Sequence, residues 1–288
     1  MELELVPARP EHVGELGRIA YESFKDISDR HGFPSDWPSV AWARMVMGML
    51  VRSEEHYAVV ALADGQPAGS NFLLLSDEVA GLGPISVEVP LQGNGIGRAL
   101  MRNAVDHARE TGIERVRLMQ DAFNMTSLSL YAQLGFDVKE PVALLEPAPA
   151  QGEDATVRPA TEADLPAVDE LCRRIYRVSR RNEVASALKG GPPPLLCERG
   201  GRVTGYFTLG LIGHGVAETE DDLVTLVCQA TRHALHDSDP PRCLCPLTEG
   251  SLYRKLLLAG CRAVKVMNLM ALGPYEPPDG VWMPSVLY

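Results

Sequence analysis

The chain has 288 residues, of which 45% are hydrophobic and 23% charged, and its formal net charge is -11. The length predicts two domains of ordinary size, and the acidic charge argues against a nucleic-acid partner, because phosphate-binding proteins carry basic faces. No apolar stretch reaches the ~18 residues of a membrane helix. The acidic first residues do not resemble a signal peptide, so we expect a cytoplasmic protein without a membrane partner.

Hydrophobic periodicity in the first half predicts a strand, two helices, a strand meander and then two strand–helix units that end in a strand. In chain order these elements are a strand (2–7), helices (11–26 and 38–52), strands (56–63, 68–75 and 85–89), a helix (97–111), a strand (115–121), a helix (125–133) and a strand (136–144). The segments 64–67 and 77–83 are predicted as turns. A meander followed by a βαβ-like unit indicates a mixed sheet.

A segment rich in Pro, Ala and Gly (147–156) is predicted to be a linker. The chain after it repeats the order of the first half in weaker form. The predicted elements are a strand (156–158), a helix (162–177), strands (194–199, 202–212 and 213–218), a helix (220–235), a strand (242–246), a helix (250–259) and strands (263–272 and 281–288). We therefore predict an α+β protein of two tandem domains (1–146 and 157–288), each a mixed, mostly antiparallel sheet flanked by helices.

The cysteines all lie in the second half, and two of them form the spacing Cys243-Leu244-Cys245. This spacing and the absence of a histidine pair at ligand distance predict reduced, buried thiols and no metal ion.

A glycine-rich turn follows the strand that ends at Val89. The residues are Gln92, Gly93, Asn94, Gly95, Ile96, Gly97 and Arg98. Glycines allow the backbone to approach a ligand, and the next helix begins with unpaired N–H groups at its positive end. This arrangement is typical of an anion site that suits a pyrophosphate.

The run from Val87 to Met101, with the pattern Q-x-x-G-x-G, resembles the acyl-CoA loop of the GNAT N-acetyltransferase superfamily. Asn124, followed seven residues later by Tyr131 and then by a Gly-Phe pair, resembles the second motif of that family. The resemblance covers residues 1–145 by the order of elements and by motif. Over 157–288 it rests on the order of elements alone.

The resemblance implies a role for each motif residue. Backbone groups of Val87 and Val89 would bind the pantetheine arm of acetyl-CoA, the amides from Gly93 to Arg98 would hold its pyrophosphate, and Asn124 would contact the cofactor. Tyr131 would protonate the leaving thiolate, because a tyrosine with a pKa near ~10 keeps its proton at neutral pH. The alternative for Tyr131 is a packing residue of an amphipathic helix.

The general base is not defined by the motifs. Glu88 is the carboxylate nearest the strand end and is our candidate, while Asp77, Glu78 and Asp121 are further candidates. The loop of residues 25–40 is where the family builds its acceptor site, and here Asp29, Phe33 and Trp37 are predicted to bind an amine. The same loop also contains Asp26, His31 and Asp36, and the alternative is a loop anchored by its own aromatic residues.

The second half lacks the loop motif, and its corresponding helix begins with acidic residues that would repel a pyrophosphate. We interpret it as a degenerate copy. The predicted function is transfer of an acetyl group from acetyl-CoA to a primary amine of a small molecule or amino-acid derivative by direct attack. The alternatives are a non-catalytic acyl-CoA-binding module and an acetyltransferase of protein termini or lysines. A homodimer and a role for the Tyr288 carboxylate stay open.

Overall fold

The computed structural model describes residues 1–210, 212–233 and 241–287. These residues form two compact units. The first unit contains residues 1–118 and 123–137 together with Leu287, and the second contains 119–122 and 138–286. The expectations for residue 235 and for Tyr288 lie outside the described residues.

The first unit is a twisted sheet with helices on both faces. Its elements are the strands β1 (Leu3–Pro7), β2 (His56–Ala63), β3 (Gln66–Leu74), β4 (Ala80–Leu82), β5 (Ser86–Val87) and β6 (Val116–Asp121), and the helices α1 (Val13–His31), α2 (Val40–Arg52), α3 (Ile96–Glu110) and α4 (Met125–Gln133). The strand order is β1-β2-β3-β4-β6, with β5 beside β3. The β4–β6 pair is parallel, and the other pairs of this unit are antiparallel.

Apolar faces of the helices hold this unit together. Leu16 and Ala20 of α1 and Met47 of α2 pack with Val60 and Phe72 of the sheet. On the second core cluster, Ile96 and Leu100 of α3 pack against β2. The side chain of Ser39 caps α2, and Gly32 ends α1 in the left-handed conformation that glycine adopts without strain.

The second unit contains two sheets. Its elements are the strands β7 (Asp137–Glu146), β8 (Val157–Pro159), β9 (Leu195–Arg199), β10 (Arg202–Phe207), β11 (Ile212–Gly213), β12 (Gly215–Ala217), β13 (Arg242–Pro246), β14 (Arg262–Leu272) and β15 (Val281–Met283), and the helices α5 (Leu165–Tyr176), α6 (Arg181–Gly190), α7 (Glu220–Ala230) and α8 (Gly250–Leu258). One sheet has the order β14-β7-β13-β11, with residues 119–121 of β6 beside β14, and the other has the order β15-β12-β10-β9-β8.

The predicted α+β class and the mixed, mostly antiparallel sheets are confirmed. Several predictions of local structure are wrong, and one of them is the strand over 85–89, because β5 ends at Val87 and Val89–Leu91 form a 3-10 helix. The segment 77–83 was predicted as a turn, but β4 lies within it because Leu82 and Gly81 pair with β3 while Ala80 and Gly81 pair with β6. Helix α1 continues to His31, and α6 was not predicted.

Strand β7 belongs by its contacts to the second unit, because Val142–Leu145 pair with Cys243–Pro246. The compact units therefore divide the chain at a place other than the predicted boundary at residue 146. Residues 147–156 contain no helix or strand, as expected of a linker. Within the described residues no helix is both long and apolar enough to cross a membrane.

Candidate functional site

Two left-handed glycines shape the loop between β5 and α3. Gly93 has φ 82° and Gly95 has φ 85°, and Gly95 is the N-cap of α3. No described atom lies within 4 Å of a Cβ built on either glycine, so the loop borders open space. Gly97 differs, since a Cβ there would lie 3.5 Å from Leu130 Cδ2, an ordinary contact. Only Gly93 and Gly95 are thus required by backbone conformation.

The loop presents the N-terminus of a helix to this open space. The first amides of α3, from Ile96 onward, have no carbonyl partner within the helix, and the first turn holds no acidic residue. The side chain of Asn94 braces the loop by donating to the Leu91 carbonyl at 3.2 Å. Arg98 donates to Gln133 of α4. A site suited to phosphate is formed by the positive end of the helix, its unpaired amides and the guanidinium of Arg98.

Strand β5 directs part of its backbone away from the sheet. The Glu88 amide donates to the Ala68 carbonyl at 2.8 Å, and Val87 stands opposite Gly69. Because bonded and non-bonded pairs alternate in an antiparallel ladder, the N–H and C=O of Val87 point away from β3. Among the described strands, β3 is the one that pairs with β5, and the Val87 carbonyl accepts a hydrogen bond from Gln92 Nε2 at 3.2 Å.

Asn124 fixes the helix that carries Tyr131. Its Oδ1 accepts from the Ser127 amide at 3.1 Å, which makes it the N-cap of α4. Tyr131 is 7% exposed, and its ring lies 6.3 Å from that of Phe136. The roles predicted for Asn124 toward the cofactor and for Tyr131 toward the thiolate stay predictions, and the cap explains why an asparagine at this position orders the helix.

Glu88 forms an ion pair with α1. Both of its carboxylate oxygens accept from the guanidinium of Arg18, at 3.1 and 2.7 Å. Arg18 also donates to Glu15 at 2.9 Å and to Glu22 at 2.6 Å. The bond to Glu88 is the main cause that raises the pKa of Arg18, so this residue stays charged and three carboxylates share one cation.

The three residues predicted to bind the acceptor lie in different surroundings. Trp37 is 6% exposed and lies in the core, where its ring is 5.3 Å from that of Trp42. Its burial supports a packing role, and its contact with a substrate stays a prediction. Asp29 is exposed and pairs with Lys25 on the outer face of α1. Phe33 stacks on Phe123 with 4.4 Å between ring centroids.

One residue beside Asn124 was not predicted from the sequence as a candidate site residue. Phe123 directly precedes Asn124 and receives the ring of Phe33, while the ring of His31 lies 5.2 Å from it. The available signal was the position of Phe123 between a strand and the asparagine of the second motif. We call Phe33, His31 and Phe123 the aromatic cluster.

Asp121, a further candidate for the base, is committed elsewhere. It lies 2.6 Å from Lys265 Nζ, and both side chains are at least nine-tenths buried. Removal of either group would leave an unpaired buried charge.

The second unit uses the acidic start of α7 for internal ion pairs. Hydrogen bonds from Arg202 and Arg174 lower the pKa of Glu218 to about 2, and the buried Asp222 accepts from Arg199 at 2.7 Å. Thr219 caps α7. These arginines are occupied by carboxylates, which agrees with the interpretation of this half as a copy without an anion loop. In the described part of the chain no cluster of His, Cys, Asp or Glu is arranged to hold a metal ion.

A buried polar cluster lies between α6 and the second sheet. His214 is fully buried, its Nδ1 lies 3.3 Å from Glu183, and its Nε2 lies 3.2 Å from the Tyr206 hydroxyl. Arg180 pairs with Glu183 and donates to Ser285 at 2.8 Å. Burial lowers the pKa of His214, with Arg180 acting in the same direction.

Residues 18–136 match the acetyltransferase (GNAT) family. Among curated relatives, an uncharacterized N-acetyltransferase of Methanocaldococcus jannaschii is 32% identical over 108 residues, covering 35% of this chain and 48% of that protein. A mycothiol acetyltransferase of Propionibacterium freudenreichii is 29% identical over 133 residues, covering 43% of this chain and 37% of that protein. The chain thus aligns with less than half the length of these relatives.

Solved structures show the same fold along the whole chain. A putative acetyltransferase from Pyrococcus horikoshii has a TM-score of 0.78 at 14% identity, covering 99% of this chain and 94% of that one. A GCN5-related N-acetyltransferase from Sphaerobacter thermophilus has a TM-score of 0.64 at 16% identity, covering 97% of each chain. At these identities the likeness concerns the fold, and it supports the tandem arrangement.

Proposed function

We propose, since residues 18–136 belong to the acetyltransferase (GNAT) family, that the chain transfers an acetyl group from acetyl-CoA to a primary amine of a small molecule. The observation that carries the proposal is the loop of Gly93 and Gly95, which opens the N-terminus of α3 to free space beside the outward-facing backbone of Val87. The loop thus offers backbone amides to a pyrophosphate, and the adjacent edge of β5 offers backbone N–H and C=O groups to a pantetheine amide.

The binding roles follow from these positions. Amides from Gly93 to Arg98 hold the pyrophosphate, since an anion at a helix N-terminus is favoured by both the dipole and the unpaired N–H groups. Val89 lies in a 3-10 helix, where its carbonyl accepts from the Gln92 amide at 3.3 Å, so the backbone groups offered to the pantetheine arm are those of Val87. When the pantetheine arm binds, the Gln92 side chain leaves the Val87 carbonyl, because Gln92 Nε2 and the pantetheine amide would otherwise compete for this one acceptor.

The chemistry is a direct attack of an amine on the thioester. The amine nitrogen forms the C–N bond, the C–S bond breaks, and Tyr131 gives its phenolic proton to the departing sulfur. The attacking nitrogen gives up a proton that restores the phenol.

A cationic acceptor is supported by the end of α1 and the loop after it. Phe33 and Phe123 form a stacked aromatic wall next to Asn124, and α1 carries Glu15 and Glu22 beside the Arg18–Glu88 pair. An aromatic wall and a surplus of carboxylates favour a compact cation over an anionic acceptor.

A two-part experiment tests the function. Calorimetry with acetyl-CoA measures binding, and release of free thiol in the presence of a panel of primary amines measures transfer. Binding with amine-dependent thiol release is the expected result. Binding without release for any amine would favour the non-catalytic acyl-CoA-binding module, and absence of binding at millimolar acetyl-CoA would refute the proposal.

A further inference from the structure

We propose that His31 accepts the proton that the acceptor ammonium must lose before it attacks. The inference rests on the proposed function and adds to it the group that none of the motifs defines. It is carried by the position and hydrogen bonding of this side chain and by the pairing of two competing carboxylates.

The tautomer of His31 follows from its partner. His31 is the last residue of α1, and its Nδ1 lies 2.9 Å from the Ile27 carbonyl oxygen. A carbonyl only accepts hydrogen bonds, so Nδ1 carries the hydrogen. Nε2 then carries the lone pair, and the exposed ring presents this nitrogen to its surroundings.

The ring of His31 lies against the residue that directly precedes the second motif. Its centroid is 5.2 Å from that of Phe123, at an interplanar angle of 32°, and Phe33 stacks on the same phenylalanine. Phe123 is followed directly by Asn124, the cap of the helix that carries Tyr131. An amine on the aromatic cluster would therefore lie beside the imidazole and against the segment that leads into the helix of Tyr131.

Two of the carboxylates that could compete for this role are bound to cations. Glu88 uses both oxygens for Arg18, and Asp121 faces Lys265. On α1 itself, the charged groups near His31 are neutralised in pairs, which are Asp26 with Arg30 and Lys25 with Asp29. Phe123, which lies against the ring from another segment, carries no charge. Histidine is moreover the side chain that exchanges protons near neutral pH.

The proton balance of the reaction is complete with this assignment. His31 Nε2 takes one proton from R–NH₃⁺ and later returns it to water. The free amine forms the C–N bond as the C–S bond breaks. The second proton of the attacking nitrogen replaces the one that Tyr131 gives to sulfur. The products are the amide, the free thiol and one released proton.

The test compares His31→Gln with His107→Gln as a matched control. Glutamine keeps a donor for the Ile27 carbonyl but has no basic nitrogen, and His107 stacks on Tyr57 within the same unit, on α3. For His31→Gln we expect kcat/KM to fall by about 10² to 10⁴, with unchanged affinity for acetyl-CoA. The decline of the wild-type rate toward acidic pH should also disappear. His107→Gln should behave like the wild type.

A second variant tests the role independently of folding. His31→Ala should regain part of its rate with added imidazole, and a merely structural role would give no such rescue. Wild-type turnover and pH profile in His31→Gln would overturn the inference, as would loss of the acidic decline in Glu88→Gln instead. These results leave the proposed function standing, because that function fails only if the wild type does not bind acetyl-CoA or binds it without acetylating any amine.

Discussion

The guanidinium of Arg18 donates hydrogen bonds to both carboxylate oxygens of Glu88, and this pair joins α1 to the end of β5. The side chains are 30% and 20% exposed, so the pair is partly shielded from water. It fixes the strand end from which the glycine loop departs.

A double-mutant cycle measures this pair. We expect Arg18→Gln and Glu88→Gln each to lower the free energy of unfolding, with a coupling of about 0.5–1 kcal/mol, at the upper end of the range for exposed pairs because the contact has two hydrogen bonds. Chemical denaturation of both single variants and the double variant gives the value. Additive effects would show that the two residues do not stabilise each other in solution.

The glycine loop predicts different outcomes for two neighbouring substitutions. Gly95→Ala forces a side chain into the left-handed region, which costs about 1–2 kcal/mol, and it should weaken acetyl-CoA binding. Gly97→Ala places a methyl group at ordinary contact distance from Leu130 and should leave thermal stability and affinity near the wild-type values. Calorimetry and thermal melts check both. Equal effects of the two substitutions would contradict the loop geometry.

Tyr131→Phe should separate chemistry from binding. Removal of a general acid lowers kcat by about 10² to 10⁴, whereas the affinity for acetyl-CoA should change little. Tyr57→Phe is the matched control, since this hydroxyl is bound to Asn103 on α3. An unchanged kcat in Tyr131→Phe would remove the phenol from the mechanism.

Trp37 and Phe33 provide a contrast between core and site. Trp37→Ala should lower the free energy of unfolding by about 3–5 kcal/mol because it opens a cavity under α1 and α2. Phe33→Ala loses a stacked pair worth about 0.5–1.5 kcal/mol and should mainly raise the KM of the acceptor. Denaturation and steady-state kinetics distinguish the two. A stable Trp37→Ala variant with an altered KM would place the tryptophan at the acceptor site.

The buried polar cluster predicts a dependence of stability on pH. Burial lowers the pKa of His214. Between about pH 7 and 5 this histidine therefore binds a proton in the unfolded chain but not in the folded chain. Stability therefore falls as the pH falls through this range, by up to about 1.4 kcal/mol per pH unit. Glu183, whose pKa is lowered to about 2 by Arg180 and His214 in spite of its burial, loses its contribution only below about pH 4.5.

Denaturation of the wild type and of His214→Gln at about pH 7.5 and pH 5.5 measures this effect. The variant starts from a lower stability but should lose less of it on acidification. Equal losses in both proteins would assign the pH dependence to other groups.

The sequence predicted those parts whose cause is local. Strands 56–63 and 242–246 and helix 125–133 agree with the structure to the residue, because their apolar periods are regular and their ends carry Gly, Asn or Pro. The loop at Gly93 and Gly95 was predicted for the same reason. These features need no knowledge of distant parts of the chain.

The missing parts depend on partners far away in the sequence. Ala80–Leu82 is a strand only because β3 and β6 lie on either side of it. The sequence alone could not show which aromatic residues of the loop are buried. In the structure Trp37 lies in the core, whereas Phe33 stacks on Phe123. Arg18 is separated from Glu88 by 70 residues, so no local pattern announces their contact.

The outward edge of β5 carries one last consequence. An unpaired strand edge is a template on which a second chain can add a strand and start aggregation. Here the edge is only two residues long, and Gln92 covers the Val87 carbonyl with its own amide. Gln92, which releases this edge when a ligand binds, would then also protect the unliganded protein from self-association. Position 92 is therefore constrained by the need for solubility as well as by the need to bind the ligand.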